Sequence, residues 1–292
     1  MRVGLTSISE RSKSVMNRRN RRFSALVALV TLGVGSRALE AQWLRYPTPG
    51  IPRLPSGQPN LSAPAPRTGD GKPDLSGIWT KDTPNFLDYF YDLAKDLKPG
   101  DVVMTPWAAA IAAQREGRNH IDDPWGYCAA PPGVPRINVS AAFKILQTPA
   151  VIALLYELDT GPVFRQVLMD GRPLPENPEP TRLGYSVGQW DGDMLVISTS
   201  GFRDGGWIDT QKARPHSDAL RVTERLTRQT LGQMTMVITI DDPKAFVKPW
   251  TVRVPFRLIA DSELLEGSCD GHEKTMEHRR IDSQPPEPPS PR

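Results

Sequence analysis

Two cysteines, Cys128 and Cys269, are all the chain holds in 292 residues, so half of any four-ligand zinc signature is missing. Long apolar runs are lacking too: the one candidate, Phe23 to Gly35, has 13 residues and is too short to span a bilayer. Nor is there charge of one sign. With 36 Lys and Arg against 33 Asp and Glu, an acidic or basic disordered tail is excluded. Proline, by contrast, is abundant at 30 residues, roughly twice ordinary usage, which argues against a long helical bundle or coiled coil. The 38% of hydrophobic residues suffices for the core of one or two domains.

Arg18, Arg19, Arg21 and Arg22 precede the apolar run, and Ala38 to Ala41 follow it. Cationic stretch, short apolar stretch and small residue are the order of a secretory signal peptide, expected over 1–41 with cleavage after Ala41. Met16 is an alternative start, and RRFSAL lacks the residue that usually separates a twin-arginine pair from its Phe. The expectation is a soluble periplasmic or secreted protein with no integral membrane span after cleavage. Losing eight basic and two acidic residues turns the formal charge from +3 to −3, so the pI near 8.9 belongs largely to the leader. No nucleic-acid footprint remains. In an oxidising compartment Cys128 and Cys269 read as a disulfide closing a loop of about 140 residues. The rival is a metal site built from Cys128 and the Cys269-x-x-His272 pair, although no metal or cofactor is assigned.

Eight prolines fall between Tyr46 and Pro73, marking residues 42–73 as a linker or a surface-hugging arm. A proline-rich tail occupies 282–292, leaving 74–281 as a single domain. Thr83-Pro84 followed by Phe86, Leu87, Phe90, Leu93, Ala94 and Leu97 predicts one short helix, and Thr105-Pro106 through Glu116 predicts a second. From Phe143 the period changes to two, predicting strands at 143–147, 150–157, 162–169, 183–190, 194–199, 219–228, 233–241, 250–259 and 263–269. Asp191-Gly192 reads as a hairpin turn. The fold class is therefore mainly β: an antiparallel curled sheet or calycin-like barrel with two short N-terminal helices, helices and arm covering one end.

Gly184-Tyr185-Ser186-Val187-Gly188 matches a nucleophile elbow, but it runs into a hairpin and not into a helix, so the serine lacks its context. Leu220, Val222, Glu224 and Leu226 share one strand face, which places the Glu224 carboxylate among core residues. Such a group is either a structural ion pair, with Arg172, Arg253 or Arg257 as partner, or a catalytic acid or base. His216 is either a general base or ligand oriented by Asp218 or Asp209, with Arg172 holding an anionic or carbonyl oxygen, or a loop residue whose Ser217-Asp218 neighbours make turn hydrogen bonds. Trp190 and Trp207 belong to a ring-rich strand region, and rings facing a barrel mouth suit an apolar small ligand.

The order Asp74-Leu-Ser-Gly-Ile-Trp79, Cys128 with Pro131 to Arg136, Gln147-Thr-Pro149, Asp170-Gly-Arg172, Gly184 to Asp193, Thr199 to Phe202, His216 to Asp218, Thr223 to Arg225, and Asp241 through Trp250 resembles an uncharacterised family of exported bacterial proteins. The resemblance covers nearly all of the mature domain and implies export and a single domain, but no activity. Family members often carry His where this chain has Tyr185; a tyrosine there can still donate a hydrogen bond. Gly77-Ile78-Trp79 is similar to a lipocalin-type first strand. The expected function is binding of a small, partly apolar ligand in a barrel pocket with Arg172, Trp190 and Trp207. The alternative is a lyase or hydrolase using His216, Asp218, Glu224 and Tyr185, and a third reading is a partner-binding envelope protein. Sequencing the N-terminus of the exported chain is expected to start at Gln42, and thiol counting to find free cysteines only after reduction.

Overall fold

Every second side chain of the strand-forming stretches turns inward, and the inward faces close on one another. The computed structural model describes residues 46–85, 87–127, 133–158 and 163–265. The expected signal peptide, Cys128 and Cys269 with their disulfide or metal site, His272 and the tail at 282–292 lie outside these residues. Nine strands form a closed barrel: β1 (Gly77–Lys81), β2 (Phe143–Gln147), β3 (Val151–Tyr156), β4 (Val163–Leu168), β5 (Tyr185–Asp191), β6 (Met194–Ser200), β9 (Arg221–Arg228), β10 (Gln233–Asp241) and β11 (Trp250–Leu258). Between β6 and β9, β7 (Gly206–Trp207) and β8 (Pro215–His216) form a separate two-stranded ribbon. Residues 263–265, expected to open a further strand, form none.

Neighbours around the barrel follow chain order, and β1 closes it against β11. A ring must return to its starting direction, so its antiparallel junctions are even in number, and nine strands require a parallel pair. That pair is β4–β5, where Val167 pairs Ser186 and Leu168 pairs Val187. The expectation of antiparallel pairing throughout is corrected here. Residues 169–184 are long enough to carry the chain back along the barrel, as a parallel crossover demands.

Of the two expected helices, only the second forms, as α1 (Pro106–Gly117), with Thr105 Oγ1 accepting the Ala108 N–H at 3.3 Å. The stretch 87–97 is a series of turns. Asn85 Oδ1 takes the Leu87 N–H at 2.9 Å and Asp92 Oδ1 the Ala94 N–H at 3.0 Å, competing with a helical ladder. The Phe90 and Tyr91 carbonyls accept instead from Thr210 and Gln211. The apolar residues still bury, with Leu93 fully enclosed.

Arm and helix cover opposite ends, not the same one. The arm binds the end bearing the β5–β6 hairpin, where Leu231 N–H donates to Ala63 O and Gly232 N–H to Leu61 O. There Arg228 lies 4.8 Å from the Trp79 ring centroid and donates to the carbonyls of Asp74, Ser76 and Leu231. At the other end, α1 packs beside the β10–β11 loop, with Thr105 N–H donating to Ala245 O. The arm contains one turn twice: Pro52-Arg53-x-x-x-Gly57-x-Pro59-Asn60-Leu61-Ser62 recurs as Pro66-Arg67-x-x-x-Gly71-x-Pro73-Asp74-Leu75-Ser76. In each copy the arginine donates to its own glycine carbonyl and clamps an aspartate of the barrel domain, Arg53 to Asp261 and Arg67 to Asp193.

Inside the barrel, Glu224 stands in register between Ile197 and Ile238 and is 0% exposed. Its partner is Arg165 of β4, 3% exposed, in a bidentate pair, with one bond at 3.0 Å. Arg172, Arg253 and Arg257, the expected partners, do not reach it. Arg165 Nε also donates to Ser186 Oγ at 2.9 Å and Nη2 to Thr199 Oγ1 at 2.7 Å. Asn138 donates to Glu224 Oε1 and accepts from Tyr156 Oη at 2.7 Å. Burial alone would lower the Arg165 pKa; the carboxylate beside it outweighs burial and raises it. Glu224→Gln, which leaves this guanidinium buried and unpaired, is expected to cost about 3–5 kcal/mol, whereas Arg165→Met with Glu224→Leu regains most of that loss. Urea unfolding of single and double variants checks it, and strictly additive losses would rule out the coupling.

Candidate functional site

Four segments meet at the helix end of the barrel. They are the loop carrying Asp123 and Trp125, the 3₁₀ turn Arg136–Val139, the end of the crossover at Arg182, and the β7–β8 ribbon with its flanking loop. Between them lies a cleft of about 70 Å³ lined by Arg136, Arg182, Arg203, Trp207 and His216 among others. At about 30 Å³ per water this is room for roughly two waters, the size of a single carboxylate or phosphate group.

His216 is buried at the cleft wall because Gly206 makes room for its ring: a Cβ there would stand 1.8 Å from Nε2. Gly133 lets the Arg182 backbone approach, since its Cβ would stand 2.7 Å from Arg182 O. Nδ1 lies 3.2 Å from Ser217 O; a carbonyl only accepts, so the proton is on Nδ1 and Nε2 keeps its lone pair. Burial pushes the His216 pKa below the ordinary imidazole value, with the Ser217 carbonyl pulling the other way. Neither expected acid orients it. Asp218 is exposed and pairs with Lys244 at 2.6 Å, while Asp209 is buried against Arg214 and the Leu93 N–H. Asp242 sets the turn instead, accepting Ser217 N–H at 2.6 Å and Ser217 Oγ at 2.7 Å.

Arg136 is held between the Phe90 and Trp125 rings, 4.8 and 5.4 Å from their centroids. It forks onto Asp123 at 2.6 and 3.0 Å and donates to Thr210 Oγ1, while its Nε finds no acceptor among the described residues. Arg115 of α1 stacks 4.2 Å from the Trp207 centroid and donates to the Gly205, Gly206 and Ala213 carbonyls, fixing the ribbon. Desolvation lowers the Arg115 pKa to about 10, so it remains charged at neutral pH. Arg182 and Arg203 are exposed at the rim, and their guanidinium groups have no hydrogen-bond or ion-pair partner among the described residues.

No family model, curated protein or solved structure matches this chain. The reading of the site therefore rests on its geometry.

Of the residues expected at a site, His216 and Trp207 share this cleft. Glu224 does not: its carboxylate is spent inside the closed barrel, where apolar neighbours leave only an ion pair to satisfy it. Tyr185 Oη donates to Glu179 O at 2.9 Å, tying the crossover to β5, and does not line the cleft. Arg172 pairs with Asp170 on the exposed turn of the opposite end, so it holds no oxyanion beside His216. Trp190 lines a different cleft at the hairpin end. Ser186 is buried as an Arg165 acceptor, as its missing elbow context implied. Sequence reasoning missed Arg136, Arg182, Arg203 and Asp242. Gly205-Gly206 before Trp207 was a usable signal, since paired glycines mark close backbone approach.

The lowered His216 pKa makes stability depend on pH. Near the unfolded value of 6.5 the unfolded chain takes up a proton that the folded protein refuses, so this contribution is full above that pH and lost as pH falls toward the folded value. Melting temperature is expected to drop between about pH 7 and about pH 5, with a shallower slope in His216→Gln. Equal slopes in the two proteins would remove His216 as the cause.

Proposed function

We propose that this protein is an exported binder of a small organic anion, held at the helix end of its barrel. The observation that carries the reading is the pair of unpartnered rim arginines, Arg182 and Arg203, beside a neutral His216 in one cleft. Three arginines against Asp123 and Asp204 leave the lining net positive. A carboxylate or phosphate fits between the rim guanidinium groups, a hydroxyl of the ligand donates to Nε2, and an apolar body lies against Trp125 and Trp207. The leader-like N-terminus supports a periplasmic or secreted location, and the ordered motifs support kinship with the exported bacterial family. The closed barrel entered at Gly77-Ile78-Trp79 supports a calycin-like relationship.

A second reading, a hydrolase or lyase at the same cleft, is favoured by one feature: the Nδ1 contact to Ser217 O leaves Nε2 as a base facing the cleft. In a hydrolysis, Nε2 would take a proton from water, the hydroxide would attack an ester carbonyl, and the departing alkoxide would leave with that proton.

Isothermal titration of the mature protein with benzoate, 4-hydroxybenzoate and phenyl phosphate, against neutral benzyl alcohol, tests both. At least one anion is expected to bind in preference to the alcohol, with affinity falling about tenfold in Arg182→Ala and in Arg203→Ala and weakening with salt. Equal binding of the neutral alcohol, or no effect of either substitution, would overturn the proposal. Hydrolysis of 4-nitrophenyl acetate that disappears in His216→Gln while anion binding persists would select the enzyme.

A further inference from the structure

The opposite end of the barrel carries its own cleft, of about 270 Å³, or roughly nine waters at about 30 Å³ each. One wall is the second arm turn, with Thr68 and Asp70; the other is the barrel mouth, with Gln147, Met169, Gln189 and Trp190. The arm wall is placed by Arg67, which grips Gly71 O at 2.7 Å and forks onto Asp193 just beyond the β5–β6 turn. Lys72 completes the junction, its Nζ 6.0 Å from the Trp190 ring centroid and 3.4 Å from Gly192 O. The first arm turn repeats the arginine clasp on Asp261 but contributes no residue to this cleft.

We propose that this cleft binds a neutral sugar ring packed on Trp190. Its lining holds one carboxylate, Asp70, with the Lys72 ammonium close by, so no net charge calls for an ion. Apolar Trp190, Met169 and Pro149 line the cleft, with Gly188, where a Cβ would meet Met169 Sδ at 2.5 Å. The rim is polar and partly unspent. Gln147 is used up by Leu75 N–H and Pro73 O, whereas the Gln189 amide is exposed and has no partner among the described residues. The Asp70 carboxylate is exposed at the rim and accepts from Thr68 Oγ1 and from backbone N–H groups of its own turn. A sugar ring matches this division, with a C–H face for the indole and hydroxyls at its edge for amide and carboxylate. A cationic ligand is disfavoured by repulsion from the Lys72 ammonium, 6.0 Å from the Trp190 ring centroid.

Saturation-transfer NMR and calorimetry on the mature chain, with glucose, N-acetylglucosamine, cellotetraose and chitotetraose, test the assignment. At least one sugar is expected to bind at concentrations up to about 10 mM, with affinity falling roughly tenfold in Trp190→Ala and several-fold in Gln189→Ala. Gln189 is exposed, so its variant remains informative should Trp190→Ala fold poorly. Trp207→Ala, altered at the other end, is expected to bind the sugar unchanged, which separates this site from the anion cleft. No binding by any of the four sugars, retained binding in both cleft variants, or tighter binding of tetramethylammonium than of every sugar would overturn the proposal.

Discussion

The pair formed by Glu224 and Arg165 governs what the rest of this molecule can do. Two charges in a closed apolar barrel are tolerable only if each hydrogen-bonding direction finds a partner, and breaking such a pair is far costlier than never having it. Ser186 and Thr199 take two of the three remaining guanidinium protons, and Asn138 gives its amide to the carboxylate. Asn138 belongs to the same short turn as Arg136. The interior ion pair thus fixes the turn that closes the helix end, and through one turn of backbone it sets the arginine that borders the helix-end cleft.

That arrangement separates stability from chemistry. Tyr156, Asn138, Glu224, Arg165, Ser186 and Thr199 bond to one another and are all buried. Groups so engaged are shut away from solvent inside the closed barrel. Unspent polar atoms lie instead at the two ends, where loops approach the barrel mouth. The ends differ in kind: rim arginines and a neutral imidazole at one, an indole with an amide and a carboxylate at the other.

How much of this was legible in the sequence depends on the range of the interaction. Strand positions follow from local alternation, and β2 begins and ends where its pattern does. Helix α1 announces itself by Thr105-Pro106, a cap and a first turn made by adjacent residues. The stretch after Thr83 carries the same signal, but Asn85 and Asp92 capture the nearby N–H groups and residues 210 and 211 claim its carbonyls, a tertiary contact no local pattern encodes. The parallel β4–β5 pair follows from ring closure, which a strand-by-strand reading does not consider. Glu224 was legible as an indoor carboxylate, because one strand shows its own alternation. Its partner was not, although Val163-x-Arg165-x-Val167 mirrors Val222-x-Glu224-x-Leu226, one charge between apolar residues on a single face. The eye goes to Phe164 instead, which lies outside and is 58% exposed.

The same logic explains why His216 was half readable. A histidine after a proline in a loop carries no information about its depth; what lets it bury is the absence of a side chain at Gly206, ten residues away in the chain and paired with it across the ribbon. Proximity in the chain made Asp218 the natural orienting acid, yet the ribbon ends at His216 and Asp218 lies in the turn beyond it. Asp218 accordingly faces Lys244 in solvent, and Asp242 reaches Ser217 from the β10–β11 loop. The imidazole is thus held by a peptide carbonyl and not by a carboxylate. A carboxylate partner would stabilise the imidazolium, whereas a carbonyl in a buried setting leaves the neutral ring favoured. With the neutral ring favoured, the positive charge among the cleft's lining residues resides on its arginines.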